Sequence, residues 1–458
     1  MSKQRSLKFW IIFWSCSAIF LALWAAFWEF KNSGIQRMAP ALEFVPFVGG
    51  DGEDYKNAAK ISDYLLKKDG EEKTFMVLFQ NNLELRPGGG FIGTFGILKM
   101  KDGKMVSIET HDLSNFDRLI PEGMEPPYPM REALGVKSWK LRDSNYSPSF
   151  EVNAQKAEEF YRLGGGQENL DGVIGITTNV LESILKVTGP IKLEDYPGTY
   201  DSENGVITLE YQVEKAFEQQ GIERVERKSV MRELAEEIEK KVSTLPINRK
   251  LGLAKTILED LNKKEIQLYF KDVEIQKIAV AAGWSGEVDS SWGKDYLMMV
   301  DANLGSFKSD YYVNRAVDYV VDLSGEVPVA KLKITYKHTA KQKDWMTRNY
   351  FSYLRVYVPR GSWLTQWQNF DDVRFGEELG RQYFGGGVNV PIGQEKTIEL
   401  VYNLPKGIGS DSAYDLKIQK QSGVLDIPVG VHVKDKNGVW KDYEFRMNSD
   451  VVLGRLEQ

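Results

Sequence analysis

The longest apolar run of the chain comes first, Phe9 to Trp28, 20 residues without a charge. Beyond it the pattern becomes periodic. Asp54 to Lys68 sets Ala58, Ile61, Tyr64 and Leu65 on one face at helical spacing. TFMVLF (Thr74 to Phe79) and FIGTFGILKM (Phe91 to Met100) are dense in β-branched and aromatic residues and predict two buried strands. Lys101-Asp102-Gly103-Lys104 is a hairpin signal before MVSIETH. A polar, proline-rich segment runs from Leu113 to Pro148, followed by a helical pattern over Ser149 to Leu163 and a buried strand, LDGVIGI, from Leu170 to Ile176. Asn179 and Glu182 have capping-box spacing at the head of a helix that Gly189-Pro190 ends. A longer helix is predicted from Glu223 to Ser243. From about Asp310 the runs shorten to LKITYK, YLRVYVP, TIELVY and VGVHVKD, broken by glycine and proline turns. The pattern therefore predicts an α/β domain over 51–305, a central sheet with flanking helices, and then an all-β immunoglobulin-like sandwich over 306–458.

The first run has the length of a bilayer-spanning helix, about 20 residues at about 1.5 Å each. Lys3, Arg5 and Lys8 precede it, and Trp10, Trp14, Trp24 and Trp28 sit near its ends. The charge bias predicts a single-pass anchor in the plasma membrane with residues 1–8 cytoplasmic, a stalk over 29–50 and the bulk of the chain extracellular. A cleaved signal peptide is the competing reading, ranked second because the run is long and no small-residue cleavage site follows. Cys16, the single cysteine, lies in this segment, so the exported part has no internal disulfide. Past the anchor 56 basic residues face 65 acidic ones, a net charge of −9, which argues against a nucleic-acid partner.

The composition removes several chemistries. His111, His338 and His432 are the three histidines and none has a ligand-spaced partner, which speaks against a zinc site. There is no G-x-S-x-G elbow, and the glycines of RPGGG are not followed by Lys-Ser/Thr as a P-loop requires. What remains is arginine and carboxylate. NNLELRPGGGFIGTFG, Asn81 to Gly96, joins two buried strands with Asn81, Glu84, Arg86 and the backbone of Gly89, where a ligand can approach closely; a plain tight turn at Pro87 to Gly90 accounts for it equally well. In the helix from Glu223, Arg224 and Arg227 fall on the apolar face shared by Met231, Leu234, Ile238 and Val242, with Arg232 at its edge. Arginines on such a face need an anionic partner, either a structural one such as Asp171 or Glu84, or a phosphate. Asp112, Asp117, Asp143 and Asp171 end segments, as Mg²⁺-binding carboxylates and ordinary caps both do.

N-N-x-E-x-R-P-x-G-G-F-I-G, a hairpin reaching Asp112, D-G-V-I-x-I with a helix ending T-G-P-I, and DANLGSFKSDYYVNR (Asp301 to Arg315) together resemble the bacterial domain of unknown function 4012, over about Lys73 to Leu404. That family in turn is distantly similar to the LytR-CpsA-Psr proteins, membrane-anchored enzymes that transfer glycopolymers from polyprenyl pyrophosphate to the cell wall with Mg²⁺. The resemblance departs at two positions: Asn81 stands near an acidic position, and His111 replaces an arginine beside Asp112.

The resemblance implies a phosphotransferase in which Arg86, Arg224 and Arg227 act with Asp112, which also holds Mg²⁺, while Asn81, Glu84, Gly89 and Arg232 bind a polyprenyl-pyrophosphate-linked glycan. The alternative is a non-catalytic surface protein whose β-sandwich binds an envelope polymer or a protein partner, with Trp345, Trp363 and Trp367 as a carbohydrate-facing patch.

Overall fold

The computed structural model describes residues 52–222, 229–409 and 414–454. The run Phe9–Trp28, and with it the anchor expected there, lies outside these residues. Among the described residues no helix is long and apolar enough to cross a membrane.

The chain divides into two compact units that do not follow its linear order. Of the described residues, the first holds those up to Gln80, within Ile92–Ile120 and within Glu158–Ser285; the second holds those of Asn81–Phe91, of Pro121–Ala157 and from Gly286 on.

The first unit is a five-stranded sheet in the order β3-β2-β1-β4-β5. Its strands are β1 (Glu72–Asn81), β2 (Phe91–Lys101), β3 (Lys104–Asp112), β4 (Gly172–Thr177) and β5 (Ile266–Phe270). The predicted strands and hairpin are all present. Asp102 and Gly103 both take positive φ, 51° and 77°, the conformation a two-residue hairpin loop demands. β1 and β4 run parallel, Phe75 opposite Gly172 through Gln80 opposite Thr177. β4 is buried along its whole length, as expected for a central strand covered on both faces. The helices Asn179–Thr188 and Ile247–Asn262 pack on each other and on the β4–β5 part of the sheet. The expected capping box is absent: Thr178 is the N-cap and makes no side-chain cap bond, while Asn179 stands one residue inside the helix and its Nδ2 donates to Glu265 at 2.9 Å. The predicted Glu223 helix is described from Ser229 to Thr244, with Val230, Leu234, Ala235, Ile238 and Val242 buried.

The second unit is a sandwich of two six-stranded sheets. One, in the order β10-β13-β8-β7-β15-β16, is built from β7 (Val313–Asp322), β8 (Val329–His338), β10 (Trp363–Gln368), β13 (Glu395–Asn403), β15 (Ile427–Lys434) and β16 (Trp440–Met447). The other, in the order β11-β12-β9-β6-β14-β17, is built from β6 (Asp295–Asn303), β9 (Tyr350–Val358), β11 (Asp371–Glu378), β12 (Arg381–Val390), β14 (Leu416–Gln419) and β17 (Val451–Leu453). Alternate residues such as Val317, Ile334, Leu354, Val356, Phe384 and Leu400 fill the space between the sheets. Two features differ from the sequence expectation. Each sheet contains a parallel pair, β15 with β7 and β14 with β6, which an immunoglobulin-like arrangement of antiparallel strands does not predict. And β6 stands inside the second sheet, so a boundary at 306 removes one of its central strands.

Candidate functional site

The Asn81–Gly96 block starts as a side-chain-braced turn: the Asn81 Oδ1 accepts the Leu83 amide at 3.1 Å. The Gly89 amide then donates to the Arg86 carbonyl at 2.9 Å, and Gly89 takes φ 132°. The tight turn is therefore real. The Asn145 Nδ2 donates to the Gly90 carbonyl, and a Cβ on Gly90 would stand 2.4 Å from the Asn81 carbonyl carbon. Backbone cannot yield there as a flexible side chain can. We expect Gly90→Ala to cost about 1–3 kcal/mol of stability, read as a lowered urea midpoint; an unchanged midpoint would mean that the turn opens freely.

Arg86 lies at the centre of this loop and is 2% exposed. Each of its three side-chain nitrogens has an acceptor: Nη2 donates to Glu84 at 2.9 Å, Nε to Asp143 at 3.1 Å and Nη1 to the Asn303 carbonyl at 2.6 Å. Its cation also lies 5.4 Å from the centre of the Phe91 ring. Burial alone would lower the guanidinium pKa; Glu84 and Asp143 outweigh it and hold the group above its ordinary value. The backbone is tied in as well. The Asn303 amide donates to the Leu85 carbonyl at 3.0 Å, the Leu85 amide to Asp310 at 3.0 Å, and the Gln421 side chain to the Arg86 carbonyl at 3.1 Å.

Asp310 carries the network to a second buried arginine. One of its oxygens accepts the Leu85 amide and the Asn303 side chain at 2.7 Å; the other accepts Arg315 Nη2 at 2.6 Å. Arg315 Nε donates to Asp301 at 2.8 Å, and Asp301 also accepts Ser352 and Tyr336 hydroxyls at 2.7 and 3.1 Å. DANLGSFKSDYYVNR and the glycine-rich block, quoted separately in the sequence, thus form one closed polar core in the second unit.

The other residues named from the sequence fall elsewhere. Asp112 and Arg232 belong to the first unit. The Asp112 carboxylate caps the short helix Leu113–Phe116, accepting the Ser114 amide at 2.8 Å. Arg232 is mostly buried, with Glu236 one helical turn on at 3.9 Å. Arg224 and Arg227 lie outside the described residues. Among the described residues no group of three or more His, Cys, Asp or Glu side chains is placed to hold a metal ion.

Residues 70–213 match the family described as protein of unknown function (DUF4012). No curated protein matches the chain. The DUF4012 match supports the first of the two resemblances. It spans β1 to β4, the Arg86 loop and the helix Gly205–Tyr211, and stops before every strand of the sandwich.

One polar cluster in the first unit was not anticipated from the sequence, and it begins inside the DUF4012 region. Glu265 accepts Thr177 and Asn179 at 2.5 and 2.9 Å, and Asp260 accepts Ser183 at 3.0 Å. Burial pushes the Glu182 carboxyl up to about 7, with the Glu265 charge adding to it. Asp260 also rises to about 7 through burial, against the lowering bond from Ser183. Burial thus favours the neutral form of both Glu182 and Asp260. Asp260 and Glu265 read as ordinary helix-end charges in LEDLNKKEI, so no local signal marks them.

Proposed function

We propose that this chain is a non-catalytic envelope protein, held at the outer face of the plasma membrane by Phe9–Trp28, that binds an envelope polymer through its β-sandwich. The observation that carries this reading is the commitment of Arg86. A phosphate clamp needs guanidinium donors that face a ligand, and each nitrogen of Arg86 already has an acceptor within its own unit. The glycine-rich block is then a structural clasp for the sandwich. The distant likeness to glycopolymer transferases supplies the class of polymer, a cell-wall glycan.

The test uses the full chain in detergent. It should sediment with purified insoluble cell-wall material and should leave polyprenyl-pyrophosphate-linked glycan unreacted with or without Mg²⁺. Mg²⁺-dependent release of polyprenyl phosphate would restore the transferase reading; failure to sediment would remove the binding one.

A further inference from the structure

We propose that the open edge of the sandwich made by β10 and β11 binds a neutral pyranose chain, with Trp363 and Phe375 as its stacking platform. This rests on the envelope-binding reading above and names the ligand class for it.

β10 and β11 are the terminal strands of their respective sheets, and the chain passes directly from one to the other. Asn369, with φ 57°, makes the corner, and Phe370 pins it from inside, 4% exposed. Gly386 is required opposite: a Cβ there would stand 2.6 Å from the Phe370 ring. This anchored corner presents Trp363 and Phe375 outward, 66% and 51% exposed, with rings 11° from parallel and centres 6.2 Å apart. Phe375 in turn rests edge-on against buried Phe384. Two large rings held parallel in water, on a buried aromatic base, form a rigid surface that costs little entropy to present.

Three observations select the occupant. β10, WLTQWQ, has no charged residue, although an exposed edge strand ordinarily carries charge to prevent pairing. Its ladder is nevertheless unsuited to adding a protein strand: the register shifts between Leu364 and Gln366, and Thr365 Oγ1 turns back to the Val401 carbonyl at 2.9 Å. The surrounding charge is unfavourable to phosphate polymers. Arg360 is paired with Glu377 at 3.1 Å and Lys396 with Asp371 at 3.9 Å, Arg374 lies 3.6 Å over the Tyr128 ring, and Asp372 is exposed. Aromatic faces with neighbouring carboxamides, here the exposed Gln366 and Gln368 on either side of Trp367, suit the apolar C–H face and hydroxyl rim of an uncharged sugar ring. The same register shift turns Trp367 to the face it shares with Leu400, so the two tryptophans of β10 do not form one flat patch.

The full chain in detergent is titrated with hexamers of N-acetylglucosamine and of glucose, and with poly(glycerol phosphate) as anionic comparator, followed by tryptophan fluorescence and calorimetry. One neutral hexamer should bind. Trp363→Ala should weaken it at least 10-fold and Phe375→Ala at least 3-fold, while Trp440→Ala, exposed on β16, leaves it unchanged. All three positions are half exposed or more, so thermal midpoints should hold. Absence of binding to both hexamers, wild-type affinity in Trp363→Ala, tighter binding of the anionic polymer, or a dimer that Trp363→Ala dissociates without any sugar binding would each overturn the site. If cell-wall sedimentation persists in such a case, only this site is lost; if sedimentation fails as well, the envelope-binding reading falls with it.

Discussion

Arg86→Ala should remove about 3–5 kcal/mol of stability, the range for leaving a buried charge without its partner. The substitution strands Glu84 and Asp143 together with the Asn303 carbonyl, in a loop whose backbone is also held by Asp310 and Gln421. Urea unfolding followed by tryptophan fluorescence reads the loss. Arg86→Lys should recover part of it, because one ammonium keeps the charge but cannot reach three acceptors in a fork. Arg86→Met combined with Asp143→Leu should cost less than Arg86→Met alone, since the double change leaves one stranded carboxylate, Glu84, where the single change leaves two. A midpoint shift worth under about 1 kcal/mol for Arg86→Ala would contradict the clasp and return the residue to the candidates for ligand binding.

The second large effect is on pH dependence. Asp295 on β6 is fully buried, and burial pushes its carboxyl up to about 6, against lowering bonds from Tyr414, Tyr319 and the Tyr296 amide. The folded state therefore holds this proton more tightly than the unfolded chain. Its stabilising contribution is complete below the ordinary value of 3.8 and is lost as the pH rises through about 6. Two units amount to about 3 kcal/mol, of which about 2 fall between pH 4.5 and 7.5. Asp295→Asn keeps the shape and cannot ionise. Its stability relative to the parent should thus improve by about 2 kcal/mol from pH 4.5 to 7.5. A difference that stays constant with pH would show that the carboxyl titrates normally inside the sandwich.

The contrast between Asp295 and Arg86 explains what could be read from the sequence. Periodicity revealed the strands, because each needs only its own alternation: TFMVLF, LKITYK and TIELVY lie wholly in strands of the structure, and LDGVIGI does from Gly172 on. The Lys101–Lys104 turn was legible for the same local reason. Partner choice is not local. Arg86 finds Asp143 57 residues on and the Asn303 carbonyl 217 residues on, and nothing in RPGGG announces either. Asn179 carried a capping signal, but the N-cap falls one residue earlier, at Thr178, and the Asn179 side-chain amide donates to Glu265, 86 residues on. The acidic cluster of Glu182, Asp260 and Glu265 escaped notice because burial, which alters its chemistry, is a property of the packed helices and not of the residue types.

The division of the chain has a consequence for how the sandwich comes to exist. Its strands are synthesised last, yet two of its parts, Asn81–Phe91 and Pro121–Ala157, leave the ribosome well before them. The early segments already contain Arg86 with its carboxylates Glu84 and Asp143, but the third acceptor of Arg86 and the partners of the Leu85 and Arg86 backbone arrive only with Asn303, Asp310 and Gln421. A fragment beginning at Gly286 would carry Arg355 without the Tyr146 carbonyl that accepts it at 2.7 Å, and Gln421 without Arg86. The closing loops are long, so assembly is governed by distant contacts and is correspondingly slow. The second unit is thus encoded as an interleaved text, and cutting the gene at a linear boundary would sever it.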